Sequence, residues 1–175
     1  KMTKHNSNTL FRGHSMINGM IKDILAYFQS PVWTEEDEDL KLEIFSSIIV
    51  QNKCWYCGVG ELKDNDHFIP TNGRLFDPPM FGLEHDGNII PSCKICNANK
   101  SNKHPLLWLK KGRVTKGKEF QFPSKRVECF ELFFDIFKDK LIADSELTNI
   151  IIEQAIPKCE KQTKELANFE EWIKL

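Results

Sequence analysis

The sequence lacks an excess of charge of either sign: 24 Lys and Arg stand against 25 Asp and Glu, a formal net charge of −1. Taken alone, that balance counts against a nucleic-acid partner, because phosphate binding draws on a basic surface. Long hydrophobic runs are missing as well. No stretch approaches the roughly 20 apolar residues that cross a bilayer, so no membrane partner is expected. No signal-peptide pattern is visible at Lys1-Met2-Thr3-Lys4, and no internal repeat or low-complexity segment stands out. β-like alternation is sparse. What remains is an ordinary globular composition, 41% hydrophobic and 28% charged over 175 residues. That length holds one sizeable core, or a small metal-built module wrapped by helices.

Against this background the cysteines are informative. Four of the six form two pairs, Cys54/Cys57 and Cys93/Cys96. Each Cys-x-x-Cys turn presents two thiolates on one side of a tight knuckle, and two knuckles supply the four soft ligands of a closed tetrahedral zinc site. The stretch between the pairs is too long for a zinc-finger loop, and it contains Asp66-His67-Phe68-Ile69-Pro70 and Gly87-Asn88-Ile89-Ile90-Pro91. The second pair runs directly onto Asn97, with Lys100 one helical turn later. Thiols kept for metal point to a reducing compartment, and a cytoplasmic location is expected. Cys129 and Cys159 are left over and read as small buried apolar side chains.

The order CxxC, DHFIP, GNIIPSC, CNxxK resembles the HNH endonuclease superfamily, over roughly residues 52 to 110. The resemblance implies a ββα-metal fold of two strands and a helix with one catalytic divalent ion, beside a structural zinc held by Cys54, Cys57, Cys93 and Cys96. The last ligand position, often His in that family, is Asn97 here. An amide oxygen is a harder ligand than imidazole and favours Mg²⁺ or Mn²⁺ as the catalytic ion. His67 is the natural general base, since an imidazole accepts a proton at neutral pH while staying mostly unprotonated beforehand. Asp66 and Asn97 are expected to hold the catalytic ion. Adjacent strand residues point to opposite faces, so Asp66 and His67 can address one phosphate only where the strand end is irregular. The family's middle Asn is carried to Asn88, expected to bond backbone near His67, with a local turn as the alternative. Lys100 and Lys103 lie on one row with Asn97 and are candidate phosphate contacts.

The expected architecture is α+β: a small ββα-metal module at 52–110, flanked by a helical segment at 1–51 and by a basic loop and helical segment at 111–175. Helices are expected over 15–29, from Thr34 with a buried stripe of Leu40, Ile44, Phe45, Ile48 and Ile49, from about Cys96 to Lys103, from Ser124 with Phe130, Phe133, Phe134 and Phe137 inward, over 145–156, and from Lys158 on. Phe68-Ile69 and Ile89-Ile90 mark two short strands, and 112–123 a basic hairpin or loop. The long loop 71–87 reads as a substrate-facing excursion with Arg74 and His85 as its contacts.

Charge is distributed unevenly. From Ala98 to Arg126 nine Lys and Arg face one acid, Glu119, and this asymmetry restores the expectation of a phosphate-binding face. The function expected is metal-dependent hydrolysis of phosphodiester bonds in DNA, with RNA open, in restriction, a mobile element or anti-phage defence, as a homodimer or within a larger defence complex. The rival is a zinc-knuckle module that binds nucleic acid without cutting it.

Overall fold

The computed structural model describes residues 19–21, 23, 32–73, 76–158, 160–162 and 164–165. Arg74, Cys159, His5, His14, most of the helix expected over 15–29 and most of the one expected beyond Lys158 lie outside the described residues. The chain groups into two compact units, one of residues 29–143 and one combining those before 29 with those from 144 on. The architecture is α+β, with helices and two small two-stranded sheets. No helix among the described residues is long and apolar enough to cross a membrane.

In the 29–143 unit, α1 (Glu35–Phe45) begins at a reciprocal capping box: the Thr34 hydroxyl accepts from the Asp37 amide and the Asp37 carboxylate accepts from the Thr34 amide. Four acids in its first turn favour the positive end of the helix dipole. Its buried face is narrower than expected. Phe45 and Ile48 are inside, whereas Leu40 and Ile49 reach solvent, and Lys41 is buried with Nζ donating to the carbonyls of Asp86 and Ile89.

After the first cysteine knuckle, β1 (Asp64–His67) pairs antiparallel with β2 (Ile89–Ser92), placing Asp66 opposite Ile90 and His67 opposite Ile89. β1 is therefore the polar run Asp-Asn-Asp-His rather than Phe68-Ile69, which follow it as fully buried core residues. Register with β2, rather than intrinsic strand preference, fixes where pairing begins. Helix α2 (Lys94–Lys100) starts immediately, with Cys93 as its N-cap, earlier than the Cys96 start expected. Next come α3 (Pro105–Lys111), opened by a proline in its first turn, and a hairpin of β3 (Arg113–Thr115) and β4 (Lys118–Phe120).

Helix α4 (Ser124–Leu141) supplies the apolar wall. Phe130 stacks on Tyr56 at 4.9 Å and on Phe68 at 5.5 Å, and Phe133 meets Phe45 at 5.3 Å. Each buried Phe contributes roughly 1.5–3 kcal/mol relative to exposure, so this aromatic face anchors both the cysteine knuckle and the end of β1. Arg126, expected in the basic face, is instead buried, donating to the Trp55 and Ile48 carbonyls. Its guanidinium lies where a side chain on Gly58 would sit, and Gly58 has φ +68, so only glycine suits this knuckle position.

In the other unit, α5 (Ser145–Asn149) is capped by Asp144, whose carboxylate accepts from the Leu147 amide, and passes into a wider-wound turn at Ile150–Ala155. This replaces the single regular helix expected over 145–156.

Candidate metal centre and polar site

The two knuckles converge. Cys54, Cys57, Cys93 and Cys96 are all buried, and their sulphur atoms lie within 4.8 Å of one another. Sulphurs around zinc at about 2.3 Å would be separated by about 3.8 Å; Cys57 and Cys93 are 4.0 Å apart. The Gly60 amide donates to Cys57 Sγ, as knuckle amides do toward a thiolate. The bond with Cys57 pushes Cys54 up to about 12, the bond with Cys54 holds Cys57 far below the ordinary thiol range, and the bond with Cys54 raises Cys96 well above it. Four soft ligands gathered this closely suit tetrahedral coordination, and the group could hold a metal such as zinc.

A tyrosine joins this cluster to β1. Tyr56, within the first knuckle and wholly buried, donates its hydroxyl to Asp66 Oδ2 at 2.7 Å. Lys100 Nζ lies 2.9 Å from the same oxygen and donates to the His67 carbonyl at 2.6 Å. Burial pushes the Asp66 carboxyl up and the Lys100 ammonium down, each opposed by the other's charge. Burial also raises the Tyr56 hydroxyl far above its usual range, so it stays a donor. Lys100 is 0% exposed, which corrects its assignment as a phosphate contact: it is an internal counter-charge.

The remaining expected site residues take separate partners. Asn97 Nδ2 donates to Asp64 Oδ2 at 2.8 Å and, more weakly, to the Asn65 carbonyl at 3.4 Å, which lays Asn97 along the first half of β1. His67 bonds neither Asp66 nor Asn97: its Nε2 lies 3.2 Å from Glu84 Oε1 without making a hydrogen bond. Asn88 is fully buried, accepting from the Ile69 amide at 2.8 Å and donating to the carbonyls of Ile69 and Leu83 at 2.9 Å each. These bonds fix the chain two residues beyond His67. Asn88→Ala is expected to cost about 2–4 kcal/mol, since backbone groups of Ile69 and Leu83 lose buried partners. Urea unfolding checks this, and a cost below about 0.5 kcal/mol would mean that water replaces the amide.

The basic run divides on folding. Lys100 and Arg126 are internal, Lys110 pairs with Glu131 at 2.6 Å, and the Arg113 guanidinium lies over the Phe120 ring. Lys103, Lys111, Lys116, Lys118 and Lys125 stay exposed. Lys103 and Lys111 border a cavity of about 520 Å³ lined also by His104, Leu107 and Trp108, but not by Asp66, His67 or Asn97. His85 is no substrate contact either; it stacks on Trp33 at 5.6 Å and bonds the Lys140 carbonyl at 2.7 Å.

Matched against known protein families, curated proteins and solved structures, the chain finds no counterpart. Three residues at the site escaped sequence reasoning. Asp64 carried a usable signal, since it shares a strand face with Asp66 at period 2. Tyr56 reads from its place in the knuckle as packing around the zinc, with base stacking as the alternative, but its bond to Asp66 carries no sequence signal, and neither does Glu84, because these roles arise only from tertiary contacts.

Proposed function

We propose that residues 52–110 form an HNH-type ββα-metal module that hydrolyses phosphodiester bonds of DNA, with zinc structural and a harder divalent ion catalytic. The observation that supports this most is the succession of β1, β2 and α2 within one compact unit, with Asp66-His67 on the first strand, Asn97 on the helix and the four-cysteine cluster at their base.

The donors suit a hard cation in kind. Oδ2 of Asp66 is taken by Tyr56 and Lys100, so Oδ1 is its ligand atom; Nδ2 of Asn97 donates to Asp64, so the amide oxygen is the other. Two protein oxygens with water and phosphate completing the shell is the usual Mg²⁺ arrangement. When bound, such an ion supplies charge stabilisation to the phosphate and to the departing 3′ oxygen. His67 takes the proton of the attacking water. Lys100 keeps Asp66 ionised in a buried setting. The exposed lysines of α3 and the β3–β4 hairpin meet backbone phosphates without reading bases.

One observation favours a second reading. The Asp66 carboxylate is engaged as a structural ion pair would be, and a module that binds nucleic acid without cutting it needs nothing more.

Incubating wild type and His67→Ala with plasmid, linear duplex, single-stranded DNA and RNA, in Mg²⁺, Mn²⁺ or EDTA, separates the two. Metal-dependent cleavage is expected from the wild type and a loss of about 10²–10⁴-fold in the variant, with folding and zinc retained. Cleavage by His67→Ala at the wild-type rate overturns the base assignment. Retention of labelled DNA without cleavage under any condition selects the binding module.

A further inference from the structure

We infer that Glu84 is the positioning residue of His67, holding the imidazole with its proton on Nε2 so that Nδ1 is the atom that accepts the proton from water; this rests on the nuclease reading above.

Three observations carry it. First, His67 Nε2 is enclosed by protein and faces Glu84 Oε1 at 3.2 Å, while the side chain as a whole keeps 25% of its exposure, so the solvent-facing part of the ring is elsewhere. Short rotations align such a contact, and hydrogen bonds of this kind commonly tighten only when substrate is bound. Second, the two residues come from segments fastened together by one amide. Asn88 bonds Ile69, two residues after His67, and Leu83, the residue before Glu84. Third, that junction is tight and anchored. A side chain on Gly82 would stand 2.0 Å from the Ile69 carbonyl oxygen and 2.8 Å from Asn88 Nδ2, and the Leu83 amide is bonded to the Leu141 carbonyl of α4. A carboxylate held this way fixes the tautomer of the ring beside it, as an orienting acid does for a catalytic histidine. In the step itself a water O–H bond breaks, the proton goes to Nδ1 while Nε2 keeps its own, and the hydroxide oxygen forms the new bond to phosphorus as the bond to the 3′ oxygen breaks.

The test compares wild type, Glu84→Ala and Glu84→Gln on a labelled DNA duplex in Mg²⁺, alongside ¹⁵N NMR of the His67 ring. The NMR reads the tautomer whether or not the protein cleaves. Expected are an Nε2–H tautomer in the wild type that is lost in Glu84→Ala, a fall in kcat of about 30–100-fold with KM within about 2-fold, and a smaller loss in Glu84→Gln, which keeps an acceptor oxygen. An Nδ1–H tautomer in the wild type, or a Glu84→Ala kcat within about 3-fold of wild type, overturns the inference while leaving the nuclease reading intact. Absence of cleavage by the wild type itself sinks that reading instead, and the ring's tautomer then decides the pairing alone.

Discussion

Protein stripped of metal by a strong thiol-competing chelator is expected to lose the ordered structure of the 29–143 unit. The cluster is built into the chain at four places that everything else leans on: Cys54 and Cys57 flank the buried Trp55 and Tyr56, Cys93 caps α2, and Cys96 lies within it. A four-thiolate zinc site contributes about 10–16 kcal/mol of apparent binding energy. The net stability of a whole domain is only about 5–15 kcal/mol, so the β1–β2–α2 segment cannot survive the loss. The outcome is read as one metal per chain by elemental analysis before treatment. Afterwards near-ultraviolet dichroism collapses and protease cuts concentrate between residues 52 and 100, reversed by one equivalent of Zn²⁺. Cys54→Ser should resemble the stripped protein. A folded, protease-resistant protein with no bound metal would show that the thiols pack as ordinary core residues.

Lys100→Met is expected to cost about 3–5 kcal/mol. The methionine fills the stem's volume but leaves the Asp66 carboxylate buried without its counter-charge, retaining only the Tyr56 hydroxyl. It also removes the bond to the His67 carbonyl, so the end of β1 loosens with it. Replacing both members of a buried pair by apolar residues is often neutral, so Lys100→Met with Asp66→Leu should recover part of that loss, the remainder being the buried Tyr56 hydroxyl and His67 carbonyl that lose these partners. Urea unfolding of the two single variants and the double, with zinc saturating, gives the coupling directly. A single-variant cost below about 1 kcal/mol would place Lys100 in solvent and return it to the phosphates.

Why some of this was legible in the sequence and some was not follows from how local each interaction is. The cysteine pairs could be read because a knuckle is made by residues three apart, and their proximity in space follows from the chemistry they share. α1 announced itself through Thr34 and Asp37, and α4 through its aromatic spacing, for the same reason. β1 did not, because Asp-Asn-Asp-His has no strand-like composition and becomes a strand only by pairing with Ile89–Ser92. Lys100 reads as a surface residue because a lysine after a motif looks solvated unless a buried acid faces it, and Asp66 belongs to another element. Arg126 and Lys41 were hidden in the same way, each satisfied by backbone carbonyls distant in sequence. A count of cations along the chain therefore overstates the basic surface that the fold presents.

The placement of Tyr56 couples the fates of two neighbourhoods. Its hydroxyl reaches Asp66 from within the turn that also sets the spacing of Cys54 and Cys57. An insertion of one residue in that turn would disturb the thiol pair and swing the phenol off the carboxylate together, so this short hinge can vary in neither length nor direction without altering both.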